Sequence, residues 1–224
     1  MERVLEPAEL MTDDEQARAY AGANFRDSEK NFIHLFGERF PDYDGSDLVL
    51  DLGCGPVNIT LPFAQRYPKA ILHGVDGSAA MLKYGYLALE QADKSFTSRI
   101  TLIQGFIPGV ALPSQQYDVI ISKSLLHHLT DPQVLWMTIK QHSKVGTRVL
   151  IVDLFRPSSP LMAKQIIETY AGKEPDVLKT DFYNSLLAAF SPTEVEGQLV
   201  AAGLPHFTVQ TISDRHIAVA GVIN

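Results

Sequence analysis

Cysteine is almost absent from this sequence, since Cys54 is the single one among 224 residues. One thiol excludes an intramolecular disulfide and a metal site built from several cysteines. The N-terminus is charged and lacks the apolar core of a signal peptide, and no apolar run reaches the length needed to span a membrane. We therefore expect a reducing, cytoplasmic setting and no membrane partner.

An excess of basic residues is also lacking. Lys and Arg together number 19 against 26 Asp and Glu, which gives a formal net charge of −7 and an isoelectric point near 5.4. Nucleic-acid binding depends on a basic face, so DNA and RNA are not expected partners. The chain also has no repeat and no low-complexity segment. Its length and its 46% of hydrophobic residues predict one domain, residues 1–224, around one large core.

The most informative stretch is LVLDLGCGPVNITLPFA, residues 48–64. Residues 48–50 are a short apolar run typical of a buried strand, and Asp51 followed by two glycines ends it in a tight turn. Pro56 suits the first position of a helix, so the pattern predicts that a helix begins there. Strand, glycine turn and helix are typical of a nucleotide-binding βαβ unit, although a glycine turn alone also closes ordinary connections.

Further apolar runs alternate with helical patterns along the chain. The predicted strands are residues 71–75, 99–104, 117–122 and 148–152, followed by a C-terminal hairpin of residues 207–212 and 215–222. Strands that alternate with helices predict a parallel, doubly wound α/β sheet with helices on both faces. Ligands of such a sheet bind at the carboxyl ends of its strands.

Asp76 follows the second predicted strand, 21 positions after Gly55. A carboxylate at this place can accept hydrogen bonds from both hydroxyls of a ribose. It can also cap the next helix, but Ser78 is available for that role. The loop at residues 105–113 follows the third strand and is placed to line the same crevice.

Together these motifs resemble one family. DLGCGP, the acid of GVDGS, the FIPGVALP loop, YDVIIS followed by HHL, and the terminal hairpin are similar in order and spacing to class I S-adenosylmethionine (SAM)-dependent methyltransferases, especially those acting on small molecules. The resemblance implies a Rossmann-like, seven-stranded sheet, mostly parallel with an antiparallel strand in the C-terminal hairpin. It also implies SAM as cofactor, S-adenosylhomocysteine (SAH) as product and a small-molecule methyl acceptor.

The resemblance also assigns roles to residues of the predicted crevice. It implies that Asp51 and the two glycines after it flank the methionine part of SAM. It further implies that Asp76 holds the ribose and that Ser122 lies beside the sulfonium. The full set of implied cofactor-binding residues is Asp51, Gly53, Cys54, Gly55, Asp76, Gly77, Met81, Gly105, Phe106, Ile107 and Ser122.

The chain departs from the family pattern at two places. Val57 stands where a third glycine is usual, and Gly105 and Phe106 stand where an acid commonly meets the adenine amino group. Adenine recognition by a carboxylate is therefore not expected. Phe106 or Ile107 can instead give the adenine an apolar wall, with backbone groups in place of the acid.

Methyl transfer requires the protein mainly to align the acceptor with the methyl group and to exclude water. A general base is needed where the acceptor arrives protonated, and His127 and His128 are the candidates because histidine titrates near neutral pH. A structural role for these histidines is the alternative. The secondary candidates are Lys123, Asp153, Tyr183 and His216, and the alternative for Lys123 is a plain solvated side chain.

Two segments outside the motifs are expected to cover the acceptor. Residues 1–45 form a predicted N-terminal helical cap, and residues 154–192 form an insertion with two predicted helices. Tyr20, Phe25 and Tyr183 are the predicted acceptor-pocket residues, because aromatic rings pack against a ligand and phenols also hydrogen-bond. The alternative is an extra packing layer or a dimer contact, and a homodimer is compatible with the sequence.

The sequence thus predicts a SAM-dependent methyltransferase that acts on a small, non-nucleic acceptor without a metal. A SAM-binding protein that senses the ligand without transferring methyl is one alternative. An NAD-dependent oxidoreductase is another. It is disfavoured because Pro56 removes an N–H that a pyrophosphate would use and Asp51 would repel that group.

Overall fold

A seven-stranded sheet forms the centre of the molecule in the computed structural model, which describes residues 1–7 and 10–224. The strands are β1 (Leu48–Leu52), β2 (Ile71–Asp76), β3 (Ile100–Gln104), β4 (Tyr117–Lys123), β5 (Ser143–Leu154), β6 (Thr208–Thr211) and β7 (His216–Val222). Their order across the sheet is β3-β2-β1-β4-β5-β7-β6. β1 to β5 pair in parallel, and β7 is antiparallel to both of its neighbours. The predicted doubly wound fold is confirmed.

Helices flank this sheet. They are α1 (Asp14–Gly22), α2 (Arg26–Arg39), α3 (Thr60–Arg66), α4 (Ala79–Gln91), α5 (Lys94–Thr97), α6 (Gln133–Gln141), α7 (Pro160–Ala171), α8 (Asp176–Ala188) and α9 (Pro192–Ala201), with a 3₁₀ turn at Leu126–His128. Serine hydroxyls cap several N-termini, as at Ser159 of α7. Ser191 and Glu194 form a reciprocal capping box at α9. None of the helices in the described ranges is long and apolar enough to cross a membrane.

Alternate side chains of the strands build two cores, one on each face of the sheet. Ile120 faces α6 and α9, where Trp136 and Val195 are fully buried. Its neighbour Ile121 faces α2 and α3, where Phe36 and Phe63 are fully buried. Because successive residues of a strand point to opposite faces, short all-apolar strands supply both cores at once. Helices on both faces leave the carboxyl ends of the strands as the accessible crevice.

The N-terminal segment and the insertion meet above that crevice. α7 and α8 pack on each other around Ala163, Ile166 and Leu186. α1 contacts both α4 and α8. The backbone N–H of Val4 donates to the carbonyl of Leu187 at 3.1 Å, so the first residues run along the end of α8.

Two predicted boundaries are wrong. The helix after β1 begins at Thr60 and not at Pro56, because the turn continues through left-handed backbone at Val57. β5 begins at Ser143, five residues before the predicted start, with an irregularity in its pairing to β4. Residues 143–147 are mostly polar and bury few apolar side chains at the end of the sheet, so their pattern does not predict a strand.

Candidate functional site

The turn after β1 is tied to the end of β2. The backbone N–H groups of Gly53 and Cys54 donate to the carbonyl of Val75 at 2.8 and 3.0 Å. The N–H of Gly55 donates to Oδ2 of Asp76 at 2.8 Å. Gly53 and Gly55 have φ values of 71° and 51°, which glycine adopts without a steric penalty. The chain thus turns sharply while its N–H groups face the carboxyl end of β2.

Val57 continues this turn with a φ of 64°, a rare conformation for a β-branched residue. Its side chain is 1% exposed and packs with Cys54, Leu82 and Leu102. A Cβ at Gly85 of α4 would lie only 3.3 Å from Cγ1 of Val57. Gly85 therefore makes room for the side chain that replaces the usual glycine, and burial of Val57 offsets its backbone strain.

Asp51 carries an unsatisfied acceptor. It is 1% exposed, and its Oδ2 accepts a hydrogen bond from the hydroxyl of Thr60 at 2.6 Å. Its Oδ1 is buried without a partner among the described residues. Burial raises the pKa of this carboxyl to about 7. A buried acceptor without a donor is costly, so this atom fits a ligand that brings a cationic or N–H group.

Asp76 stands at the boundary between turn and helix. Its Oδ1 accepts from the N–H of Ser78 at 2.8 Å, and its Oδ2 accepts from Gly55. Ser78 itself caps α4 through the N–H of Met81, so the helix cap and the carboxylate are separate groups. Burial raises the pKa of Asp76. Each carboxylate oxygen still has a free lone pair, which leaves Asp76 able to accept two further hydrogen bonds.

A cavity of about 530 Å³ opens beside these carboxylates, a size common among small-molecule sites. Its walls come from α1 and α2, the turn after β1, the start of α4, the segment after β4, α7, α8 and the β6–β7 turn. The predicted site residues that line it are Asp51, Gly53, Cys54, Gly55, Asp76, Met81, His127, His128, Tyr20 and Phe25. The N-terminal segment and the insertion thus both contribute to its walls.

Four predicted cofactor residues, Gly77, Gly105, Phe106 and Ile107, lie outside the cavity lining. Phe106 is 61% exposed. A Cβ at Gly77 would lie 3.1 Å from both Leu10 Cδ2 and Phe106 Cε1, so these two side chains cover Gly77 on its outer side. Leu10 comes from the N-terminal segment, whose course no local pattern reveals. Phe106 therefore does not form the predicted apolar wall for the adenine in this cavity.

Ser122 and Tyr183 are also absent from the lining. Ser122 is fully buried, and its hydroxyl donates to the carbonyl of Leu52 at 2.7 Å across the β1–β4 pair. Tyr183 packs on the other side of α8, in the cluster formed with α7. Both residues support the walls of the cavity and do not face it.

His127 and Asp153 form a buried pair at the cavity. Nδ1 of His127 lies 2.5 Å from Oδ1 of Asp153, and Oδ2 of Asp153 accepts from the N–H of Leu126 at 2.7 Å. Burial alone would lower the pKa of His127, but the Asp153 carboxylate outweighs burial and leaves this pKa raised. The pKa of Asp153 is lowered in return, by His127 against the effect of burial. With Nδ1 held by Asp153, Nε2 is the ring atom available to a ligand.

His128 pairs with Glu6 of the N-terminal segment through Nδ1 and Oε2. The other oxygen of Glu6 accepts from the hydroxyl of Ser185 on α8 at 2.7 Å. Burial would raise the pKa of Glu6, but its bond to His128 outweighs burial and lowers it. Ligating atoms of Glu6, His127 and His128 lie within 4.8 Å of one another, a spacing that could hold a metal ion. Each of the three already has a hydrogen-bonding partner.

The sequence did not point to Glu6, Arg3 or Arg215. Arg3 donates to the carbonyls of His127 and Leu129, both at 2.9 Å, and its guanidinium lies 3.8 Å from the ring centre of Phe190. Glu6 is separated from its partner by 122 positions, and only the folded chain brings them together. Arg215 lines the cavity beside His216, and its place at a hairpin turn was the one local signal available.

Comparison with known proteins finds similarity to methyltransferases. Residues 49–147 match a family model described as a methyltransferase domain. The ubiquinone/menaquinone biosynthesis C-methyltransferase of Syntrophotalea carbinolica is 29% identical over 119 residues, 53% of this chain and 48% of that protein. The trans-aconitate 2-methyltransferase of Azoarcus sp. (strain BH72) is 32% identical over 123 residues, 53% of this chain and 45% of that protein. The chain thus matches about half the length of these relatives.

A solved structure extends the similarity of fold beyond the matched segment. A SAM dependent methyltransferase from Aquifex aeolicus superposes with a TM-score of 0.66 at 17% identity, covering 95% of this chain and 99% of that one. The segment matched by the family model contains Asp51, the glycine turn, Asp76 and the histidine pair. Residues 49–147 of this chain are thus similar to methyltransferase domains, and the fold of the whole chain is similar to that of a SAM dependent methyltransferase.

Proposed function

We propose that this protein transfers the methyl group of SAM to a small, non-nucleic acceptor. The observation that carries the proposal is Oδ1 of Asp51, which has no hydrogen-bonding partner in the described part of the chain; Asp51 lines the same cavity as His127, which Asp153 holds. Asp51 offers a buried acceptor to one ligand, and His127 offers an oriented base to a second. A sensor needs only the first of these groups, so the cavity fits a site for two substrates better. The match of residues 49–147 to a methyltransferase-domain model supports the same reaction.

The residues present fit SAM. Asp51 offers its free oxygen to a cationic group such as the α-amino group of the methionine part. Asp76 retains the lone pairs needed for two ribose hydroxyls, and Met81 adds an apolar contact at the start of α4. When bound, SAM supplies a methyl group activated by its positive sulfur. The protein therefore has to bind, orient and exclude water, and no strong acid is required.

His127 is the proposed general base. Asp153 fixes the ring tautomer, so Nε2 can receive a proton from an acceptor hydroxyl or amine. Asp153 also stabilises the imidazolium that results, which is the reason for the raised pKa of His127. His128 is turned toward Glu6 and α8, so we assign it to holding the N-terminal segment in place.

The cover of the acceptor is proposed to be the N-terminal segment together with the insertion. Tyr20 and Phe25 enter the cavity from one side, with ring centres 4.8 Å apart, and residues of α7 and α8 enter from the other. Burial raises the pKa of Tyr20 to about 12, so its phenol stays protonated and can donate a hydrogen bond. Tyr20 is the proposed polar anchor and Phe25 the apolar one.

Isotope transfer tests the proposal. The protein is incubated with a metabolite extract and SAM that carries a labelled methyl group, and labelled products are identified by mass spectrometry. We expect label in one small molecule or one chemical series, and none with the Asp76→Ala variant at the same protein concentration. SAM binding measured by calorimetry without any labelled product would contradict methyl transfer and favour the sensing alternative. Binding of NAD in place of SAM would contradict the cofactor as well.

A further inference from the structure

Two basic side chains line the cavity. We call the part of the cavity walled by α7, α8 and the β6–β7 turn its acceptor half. Lys123 ends β4, and Arg215 directly precedes β7; both line the cavity wall. In the sheet Lys123 is level with Val152 of β5, and His216 is level with Leu154 of the same strand. The two basic residues therefore lie on either side of β5 at its carboxyl end, about 14 Å apart at the backbone from two strand spacings and an offset of three residues along β5.

Lys123 lacks a partner for its charge. Within residues 1–7 and 10–224, no carboxylate lies within 4.0 Å of its ammonium group. Its Nζ is 5.8 Å from the ring centre of Phe25, which places the charge under the start of α2. Burial lowers the pKa of this lysine. Glu29 and Asp153 act on this charge only from beyond 4.0 Å, so a largely buried ammonium has no carboxylate in contact, and an anion bound in the cavity would offset the cost of its burial.

Arg215 is held in a fixed orientation. Its guanidinium lies 3.3 Å from the ring centre of Tyr170 and donates to Oδ1 of Asp214 at 2.9 Å. The phenol of Tyr170 donates to the other oxygen of Asp214 at 2.8 Å. A guanidinium has five N–H donors, so several stay free after this pairing. An arginine fixed in this way is suited to bind a carboxylate through two parallel hydrogen bonds.

The acidic residues of the acceptor half do not cancel these charges. Asp153 pairs with His127. Asp181 of α8 accepts a hydrogen bond from Gln16 at 2.8 Å, and the charged groups that act on Asp181 are Glu6 and His128. Asp214 pairs with Arg215, whereas Glu29 acts on the charge of Lys123 from beyond 4.0 Å. Asp27 and Glu174 also line the cavity, and among the described residues neither forms an ion pair with Lys123 or Arg215. The free N–H donors of Arg215 form a fork that matches a planar carboxylate. The positive patch is local, since the whole chain has a net charge of −7.

We propose that the methyl acceptor is a small carboxylic acid, anchored as its carboxylate between Lys123 and Arg215. The proposal deepens the methyltransferase function and rests on it. The carboxylate is the anchor and not the nucleophile, because two cations would hold its electron pairs while the oriented base serves a protonated group. A hydroxyl or amine of the same acceptor forms the bond to the methyl carbon. The carbon–sulfur bond breaks with its electron pair left on sulfur, and the proton passes to Nε2 of His127.

The acceptor chemistry can be tested before the acceptor is known. The metabolite extract is separated by ion exchange at pH 7.5 into anionic, neutral and cationic fractions, and each is assayed for label from methyl-labelled SAM. We expect label with the anionic fraction, unchanged after phosphatase treatment and lost after carbodiimide coupling to methylamine. The labelled product should stay anionic and resist mild base, because a methyl ester would be neutral and base-labile. Loss of the acceptor on phosphatase treatment, or a base-labile product, would overturn the proposal.

Other outcomes separate this inference from the function on which it rests. Label found only with the neutral or cationic fraction overturns the carboxylate anchor and leaves methyl transfer intact. No label with any fraction, despite SAM binding by calorimetry, overturns both proposals.

Variants of Lys123 give a second, independent test. Lys123→Met should raise the KM of the purified anionic acceptor by about tenfold or more, while the Kd of SAM changes by less than about threefold. Lys123→Arg should recover most of the loss, because the charge is restored. Lys164→Met is the matched control, since Lys164 is exposed on α7, and it should leave both constants unchanged. An unchanged KM in folded Lys123→Met, or equal losses in both substitutions of Lys123, would overturn the anchor.

Discussion

At the scale of single residues, the buried carboxyl of Asp51 makes SAM binding dependent on pH. Its pKa of about 7 describes the empty cavity, where burial favours the neutral form. A cationic ligand group binds the ionised form, so the affinity for SAM should rise with pH, by roughly an order of magnitude from pH 5.5 to 7.5. Calorimetric titration of SAM over this range measures the slope.

Two variants sharpen this measurement. Asp51→Asn should bind SAM more weakly and with a much smaller slope, because no proton is exchanged at that position. Asp44→Asn, at an exposed turn, should keep the wild-type slope. A slope that survives unchanged in Asp51→Asn would assign the titration to another group.

His127 supports a prediction about rate. His127→Gln should bind SAM within about threefold of wild type and lose roughly 10²–10⁴-fold in turnover. The wild-type rate should rise with pH through the pKa of His127, since the neutral ring is the base. Asp153→Asn removes the charge that raises this pKa, so the rise in rate should move to lower pH. Equal losses of SAM binding and turnover in His127→Gln would indicate a structural role instead.

Val57 supports a prediction about stability. Glycine normally destabilises a buried site more than alanine does, but a φ of 64° favours glycine. Val57→Gly should therefore be as stable as Val57→Ala or more stable, by up to about 1 kcal/mol. At Val119, fully buried in β4, the order should be reversed. Urea unfolding of the four variants measures the comparison, and the same order at both positions would exclude backbone strain at Val57.

Sequence reasoning at this scale found the residues whose roles depend on near neighbours. Asp51 and Asp76 could be predicted because each ends a strand and its partners lie within 21 positions. Glu6 and Arg3 could not be predicted, since they bond to residues more than 120 positions away or to the distant helix α8. Ser122 was predicted beside the sulfonium, but its buried hydroxyl donates to the carbonyl of Leu52 on the adjacent strand, and the motif alone does not reveal that bond.

At the scale of elements, α1 bridges the two halves of the cavity. It contacts α4, which begins beside Asp76, and α8, which belongs to the insertion. We expect SAH to slow hydrogen exchange in α1 and in the first turns of α8, because closing the cavity orders both. α9 contributes no residue to the cavity and serves as the internal control.

A deletion tests the same cover. Removal of residues 1–23 takes away Arg3, Glu6 and α1, and it should lower both acceptor turnover and the SAH-dependent protection of α8. Intact turnover and protection in a folded deletion variant would show that this segment does not cover the site.

The elements themselves were predictable where apolar residues mark them. All five parallel strands and the hairpin follow from predicted runs of three to eight residues, and the structure confirms these elements. The start of α3 was not predictable, because the sequence does not reveal that Val57 adopts a left-handed backbone conformation. Contacts with α8 and the 3₁₀ turn set the path of the N-terminal segment. The hydrophobic pattern of that segment therefore predicted its helices but not where they pack.

At the scale of the whole molecule, cofactor binding should stabilise the entire fold. The cavity is bounded by elements from both ends of the chain and from the middle of the sheet, so unfolding must release the ligand. At a SAH concentration of 100 times Kd the stabilisation is about 2.7 kcal/mol, which corresponds to a rise in Tm of about 5–11 °C for a domain of this size. Differential scanning calorimetry measures the shift.

Asp76→Ala is the control for this shift. Loss of two charge-assisted hydrogen bonds should weaken SAH binding by about 2–4 kcal/mol. At the same SAH concentration, the variant should therefore show less than about a third of the wild-type stabilisation. A full shift in the variant would remove Asp76 from the cofactor site.

The strand order of the whole sheet was not predicted from the sequence. Alternating strands and helices predict a doubly wound sheet, but several orders satisfy that pattern. The family pattern gave the seven strands and the antiparallel end, and the structure confirms both. The acceptor could not be predicted in this way, because the insertion and the β6–β7 turn that form its half of the cavity lie outside the family match.

The pairing of Val57 with Gly85 constrains how the sequence can diverge. One of the three close contacts that a Cβ at position 85 would make is with Val57 itself. An alanine at 85 is thus more damaging while valine stands at 57 than it would be beside a glycine there. The effects of substitutions at the two positions are therefore not additive: Gly85→Ala should cost less stability beside glycine at 57 than beside valine, while the contacts with Leu102 and the carbonyl of Gly55 remain in both cases.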